Sequence, residues 1–386
     1  MTHRALLVPA IAIALAACGR SEAPTPVAEP TTTSAAPAAA AAPEEKILNV
    51  YNWSDYIAED TIARFEAETG IDVSYDVYDT NEILEAKLMT GNSGYDLVFP
   101  SARPFAARHV KSGLYAPLDK AQLTNYANLD PAVLAGLADF DPGNAHVVPY
   151  LWGTTGIGYN VAKLRERLGA DAPLDSWSLL FDPATAAKLA DCGISVLDDE
   201  QDAFGAALIH LGRDPNANGG DENDAVAKLY GAVRPHIRYF NSSKFIDDLA
   251  NGEICIAMGY SGDVVQARDR AEEAANGVEI AYAIPKEGAM RWIDTAAIPA
   301  DAPHSGNAQR LIDFLLRPEV GAGIANYVAY ATPNTKALPL VEEALRNDPN
   351  LYPPGEVAAK LVDPKTLPDD VQRARVRTWT SIKTGH

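Results

Sequence analysis

Hydrophobic and polar positions along the chain alternate between two periods. Residues 47–50 form a short apolar run that reads as a strand. In 57–68, Ile62 and Phe65 share one helix face, and Gly70 stands where a C-cap is expected. Residues 71–77 alternate apolar and polar, as a half-buried strand does. Thr80 or Asn81 can cap a helix carrying Ile83, Leu84, Leu88 and Met89. Residues 95–99 make a compact strand closed by Pro100. An extended run over 147–152 leads towards a second lobe, and 156–160 then reads as a strand. Further on, strands are expected over 194–197, 254–258, 278–284 and 292–298, with helices over 203–211, 264–275 and 306–316. The tail after Leu338 is rich in proline and is expected to pack on one lobe. Alternating strands and helices indicate an α/β fold.

The strand ends carry the chemistry. After the first strand comes Tyr51-Asn52-Trp53-Ser54-Asp55-Tyr56, two ring systems flanking a hydroxyl and a carboxylate. In open α/β sheets, loops at the carboxyl ends of strands bind ligands. Rings and a carboxylate suit a cation; equally, the rings can be core and Asp55 a helix cap. Ser101 sits at the corresponding end of another strand, as a cap or as a ligand contact. The layout recurs at Tyr260-Ser261-Gly262-Asp263. Asp198-Asp199-Glu200 follows a strand too, although such a cluster is often only a solvated turn. Trp292 and Asp294 share a strand face by the two-residue period, where Asp294 takes either a ligand ammonium or an ordinary Lys or Arg partner.

No catalytic pattern stands out. The Gly-Tyr-Ser-Gly-Asp segment lacks the glycine two residues after serine that a nucleophile elbow needs. There is no phosphate-binding or dinucleotide glycine loop, and the seven histidines are scattered without metal-ligand spacing. We therefore expect no enzyme, no cofactor and no metal.

The chain's 386 residues, 47% of them hydrophobic, suffice for two cored domains. The formal charge of −20 argues against nucleic acid and favours a cationic partner. Arg4 precedes an apolar run over 5–17, too short to span a bilayer and fitting a secretory signal. Leu15-Ala16-Ala17-Cys18 resembles a bacterial lipobox, with Cys18 lipidated after cleavage. Residues 18–45, rich in Ala, Pro and Thr, read as a flexible tether. Cys192 and Cys255 remain, either as a disulfide in an oxidising compartment or as two buried thiols.

From Tyr51-Asn52-Trp53-Ser54-Asp55-Tyr56-Ile57 onward the sequence resembles the periplasmic putrescine/spermidine-binding proteins of bacterial ABC transporters, the putrescine-binding branch above all. Thr154-Thr155-Gly156-Ile157-Gly158-Tyr159-Asn160, Gly262-Asp263-Val264, Ile284-Pro285-Lys286-Glu287-Gly288-Ala289-Met290 and Tyr352-Pro353-Pro354 extend the match to the C-terminal region. The resemblance implies a two-lobed periplasmic binding protein fold of type II, with two hinge crossings and the ligand cleft between lobes. Lobe one would comprise 46–149 and 290–338, and lobe two 150–289 and 339–386. It implies rings at Trp53, Tyr56, Trp292 and Tyr330, with polar contacts at Ser54, Asp55 and Ser101. Asp263 and Asp294 would hold a terminal ammonium, and Asp198 matches an acidic position used in spermidine-binding relatives. Gln201 and Tyr260 depart from the familiar Glu and Trp and leave the particular amine open, agmatine and cadaverine included. Cys192 and Cys255 match a disulfide. The implied partners are a polyamine and an ABC permease with its ATPase, for a monomer tethered to the membrane only through Cys18; a sensor role is the alternative.

Overall fold

The computed structural model describes residues 44–385. The expected leader, Cys18 and the tether up to residue 43 lie outside them. The ten strands are β1 (Ile47–Trp53), β2 (Asp72–Tyr78), β3 (Leu97–Val98), β4 (Val147–Asn160), β5 (Ile194–Val196), β6 (Tyr239–Phe240), β7 (Ile256–Tyr260), β8 (Ile280–Ala283), β9 (Ala289–Ala297) and β10 (Leu361–Val362). They join in the order β2-β1-β3-β9-β4-β7-β5-β6, with β8 beside β4 and β10 beside β9. β1 is parallel to β2 and β3, and β5 is parallel to β6 and β7. Each parallel set needs helical crossovers, which supply the helices covering it.

Two hydrophobic cores flank the middle of this arrangement. One gathers Leu48, Phe65, Phe99, Tyr150, Ile312, Phe314 and Tyr330. The other gathers Ile157, Trp177, Phe204, Tyr230, Phe245, Ile256 and Trp379. The antiparallel pair β4 and β9 contributes to both, with Val148, Leu151 and Ala296 in the first and Ile157 and Met290 in the second. These two strands carry the chain from one lobe to the other.

Two features go beyond the sequence reading. Residues 147–160 form one strand, irregular between Pro149 and Leu151, in which Gly153, Thr154 and Thr155 keep their pairing to Trp292, Arg291 and Met290 of β9. The tail after 339 first packs on a shared cluster. Val341, Leu345 and Leu351 gather with Ala322 and Ala325 of the helix Pro318–Val328 and with Val265 of the helix Ser261–Glu273. Only later does the C-terminal helix Asp369–Thr384 bury Trp379 and Ile382 in the second core.

Local signals explain the ends. Gly70 closes the helix Thr61–Thr69 at φ 67°, the left-handed C-cap that favours glycine. That helix starts at Thr61 rather than 57, so Asp55 is not its cap. Thr80 caps Asn81–Met89 by accepting from the Ile83 amide at 3.3 Å. Cys192 and Cys255 form a disulfide with Cα atoms 5.6 Å apart. It ties the segment before β5 to the segment before β7.

Candidate functional site

The loops at the strand ends converge on one cavity of about 90 Å3 between the two cores. From the first core it is lined by Trp53, Ser54, Asp55, Tyr56, Ser101, Arg103 and Tyr330, with Trp292 and Asp294 of β9. From the second come Asp199, Gln201, Asp202, Tyr260 and Asp263. Of the twelve ligand-contact candidates named from sequence, only Asp198 is not at the wall.

Asp294 is 5% exposed. It accepts from Ser101 Oγ at 2.6 Å and from Tyr56 Oη at 2.9 Å. Burial pushes its carboxyl up to about 6, against the lowering effect of those hydroxyls. Ser101 is fixed in turn by Asn81, whose side chain donates to its hydroxyl at 3.0 Å and accepts from its amide at 3.1 Å. Asp263 opens the helix Ser261–Glu273 and accepts from Tyr330 Oη at 2.5 Å. Burial pushes its carboxyl up to about 7, with Tyr330 opposing. No ion pair among the described residues involves either carboxylate.

The rings form the walls. Tyr56 meets Tyr330 edge-on at 5.3 Å, and Trp292 meets Tyr330 at 5.2 Å and Tyr260 at 5.6 Å. Trp53 lies 4.6 Å from Tyr78 and donates to the Phe99 carbonyl at 2.7 Å. The Trp292 Nε1–H is buried without a partner among the described residues. A Cβ on Gly262 would come within 2.6 Å of the Tyr330 ring, so glycine is what lets this ring lie against the helix start that carries Asp263.

Contacts between the two sides bring the walls together. Gln201 Nε2 donates to the Arg103 carbonyl at 3.3 Å, and Ser243 Oγ to Asp79 at 3.3 Å. Asp55, expected among the ligand contacts, sits at the exposed rim with φ 53° and pairs with Arg270 at 3.5 Å.

Asp198 does not line the cavity. It turns out of the cavity and accepts from Lys383 Nζ and, at 3.2 Å, from Trp379 Nε1, both on the C-terminal helix. Asp199 and Asp202 take the cavity side. Asp199 caps the helix Glu200–His210 by accepting from the Asp202 amide at 2.9 Å. Burial raises both carboxyls, Asp202 well above its ordinary range, with Asp294 adding to each. The signal that could have found them is the cap: a helix starting at Glu200 makes Asp199, not Asp198, its N-cap. Nothing local pointed to Arg103 or Asp79.

Residues 60–353 match the bacterial extracellular solute-binding protein family. The chain belongs to this family. As a solute-binding protein it is not an enzyme. It is 49% identical to the putrescine-binding periplasmic protein SpuD of Pseudomonas aeruginosa, over 89% of this chain and 94% of that one. It is also 49% identical to the putrescine-binding periplasmic protein PotF of Escherichia coli, over 89% and 93%. Among solved structures, a candidate spermidine/putrescine ABC transporter protein of Listeria monocytogenes superposes with TM-score 0.79 at 30% identity, covering 89% of this chain and all of the other. The resemblance read from the motifs is thereby shown, and so is the mixed α/β solute-binding fold.

Proposed function

We propose that this solute-binding protein captures a short linear polyamine, putrescine foremost, and delivers it to a membrane permease of an ABC importer. One observation carries the reading: Asp294, buried, and Asp263, half-buried, face one cavity with hydroxyl donors and aromatic neighbours but no ion-pair partner among the described residues. Taking an ion out of water costs several kcal/mol unless it is paired. Ammonium groups of a ligand supply that pairing, each carboxylate and each ammonium removing the other's penalty. Ring faces add about 0.5–2 kcal/mol each along the ligand, and methylenes about 0.8 kcal/mol per buried CH2. The 49% identity to two proteins named as putrescine-binding supports the same ligand class.

Closure follows from the division of the wall. Tyr56, Ser101 and Asp294 come with one core, Asp202, Tyr260 and Asp263 with the other, so a ligand touching both sides favours the closed form. The closed form is what a permease would recognise. The protein would act in the periplasm, held by a lipid on Cys18 through the tether.

Calorimetry with putrescine, spermidine, agmatine and cadaverine tests the reading. Tight, saturable uptake of at least one of them is expected, and no heat with any of the four sinks it.

A further inference from the structure

Strand β4 carries the chain between the lobes and holds three glycines, Gly153, Gly156 and Gly158. Glycine inside a strand weakens it and often marks a place where something approaches closely. At Gly156 and Gly158 that is packing within the second core. A Cβ there would meet the Tyr282 hydroxyl and Val264 Cγ2, each at 2.5 Å. Gly153 is different. It is buried and stands directly opposite Trp292 in the antiparallel pairing of β4 with β9. A Cβ on it would lie 2.6 Å from Cζ2 and 2.8 Å from Cη2 of the Trp292 indole, and 3.0 Å from Ser261 Oγ. Of the three glycines, only Gly153 has a residue of the cavity wall against it.

Carbon atoms in contact stand about 3.5–4.0 Å apart, so a methyl group at 153 would displace the indole edge by about 1 Å. The indole is already edge-on to Tyr330 at 5.2 Å and to Tyr260 at 5.6 Å. The room left to it is the cavity, which is only about 90 Å3. Asp294, two positions further along the same face of β9, opens onto that space. An indole pushed inward would therefore narrow the path of a ligand that reaches for this carboxylate.

We infer that Gly153 is a positioning residue for ligand capture: by lacking a side chain it seats the Trp292 ring against the crossing strand and keeps the cavity open. Gly153 touches no ligand in this account; it acts through Trp292. The inference rests on the polyamine reading given above, which supplies the slender ligand.

The test is putrescine affinity, measured by calorimetry on the full chain through a cycle of two substitutions. Gly153→Ala should weaken binding at least fivefold. Trp292→Phe removes the outer edge of the indole and with it the contact, so Gly153→Ala/Trp292→Phe should bind within twofold of Trp292→Phe alone. That recovery separates the indole from a general loss of fold and from crowding of Ser261, neither of which a smaller ring at 292 repairs. A smaller loss in Gly153→Ala overturns the inference, as does an equal loss when the substitution is made in Trp292→Phe. Should Gly153→Ala fail to fold, thermal unfolding of the double variant decides: a folded double variant is expected, and one that also fails overturns the inference. Should Trp292→Phe alone bind too weakly to compare, a crystal structure of Gly153→Ala decides. Cζ2 and Cη2 displaced into the cavity are expected; an indole left in place, with the strand or Ser261 moved instead, overturns the inference. Wild-type protein that takes up none of the four amines overturns the polyamine reading itself, whereas wild-type uptake with any adverse result above overturns only the role of Gly153.

Discussion

The acids of the cleft and the acids outside it are the same residue types in opposite circumstances. Asp248 accepts from Tyr239 and pairs with Lys244, one turn earlier on its own helix. Asp198 pairs with Lys383 and Glu85 with Arg108. Asp263, Asp294, Asp199 and Asp202 have no ion-pair partner among the described residues, and burial raises the carboxyl of each. The net charge of −20 did not distinguish the two groups. What marks the binding region is carboxylate that the protein has desolvated and left without a cation.

The sharpest way to break that contrast is to remove one cleft charge. Asp294→Asn should weaken putrescine binding by a hundredfold or more, about 3 kcal/mol at 1.4 kcal/mol per tenfold. The apo protein should unfold at nearly the same temperature or higher, since a buried charge is lost. Calorimetry showing intact affinity would place the ammonium elsewhere.

A smaller effect should appear with pH. Asp294 at about 6 and Asp263 at about 7 both stand above the ordinary aspartate value near 4. Below about pH 4 these groups are neutral whether the chain is folded or not, and their contribution to stability is whole. As the pH rises through 6 and 7 the folded apo protein must carry buried charge, and that contribution is lost. Apo stability from these groups therefore falls between about pH 4 and 7, while the increase in melting temperature given by putrescine grows. Thermal shifts with and without ligand check the trend; a ligand increment that stays flat across the range contradicts it.

The smallest effect belongs to the surface pair. Arg64→Met removes the partner of Asp60, their side chains being 40% and 66% exposed. Putrescine affinity should change less than twofold and stability by at most about 1 kcal/mol. A large loss of binding would mean that surface and cleft acids do not separate as described.

Much of the cavity wall was legible because it follows local rules. Trp53 and Tyr56 stand after β1, Ser101 after β3, and Asp263 after β7, at the ends where parallel strands present ligand loops. The two-residue period put Trp292 and Asp294 on one face of β9, and both reach the cavity. Asp198 lies off the wall because adjacent residues differ in direction, and one cap decides which of them faces inward. The continuity of β4 was not legible for another reason. Gly153, Gly156 and Gly158 are poor strand formers taken singly, and pairing with β9, β7 and β8 overrides that weakness.

The sequence by itself determined the α/β alternation, the places where rings and acids interrupt strand ends, and the family. Those depend on period, turn chemistry and motif, which neighbouring residues settle among themselves. The tertiary structure alone decided which acids are left without partners. Tyr330 reaches Asp263 across 67 residues, Tyr56 reaches Asp294 across 238, and Lys383 claims Asp198 across 185. The physical reason is that a carboxylate's state depends on burial and on which donors stand within hydrogen-bond reach, and both are set by chain segments far apart in sequence.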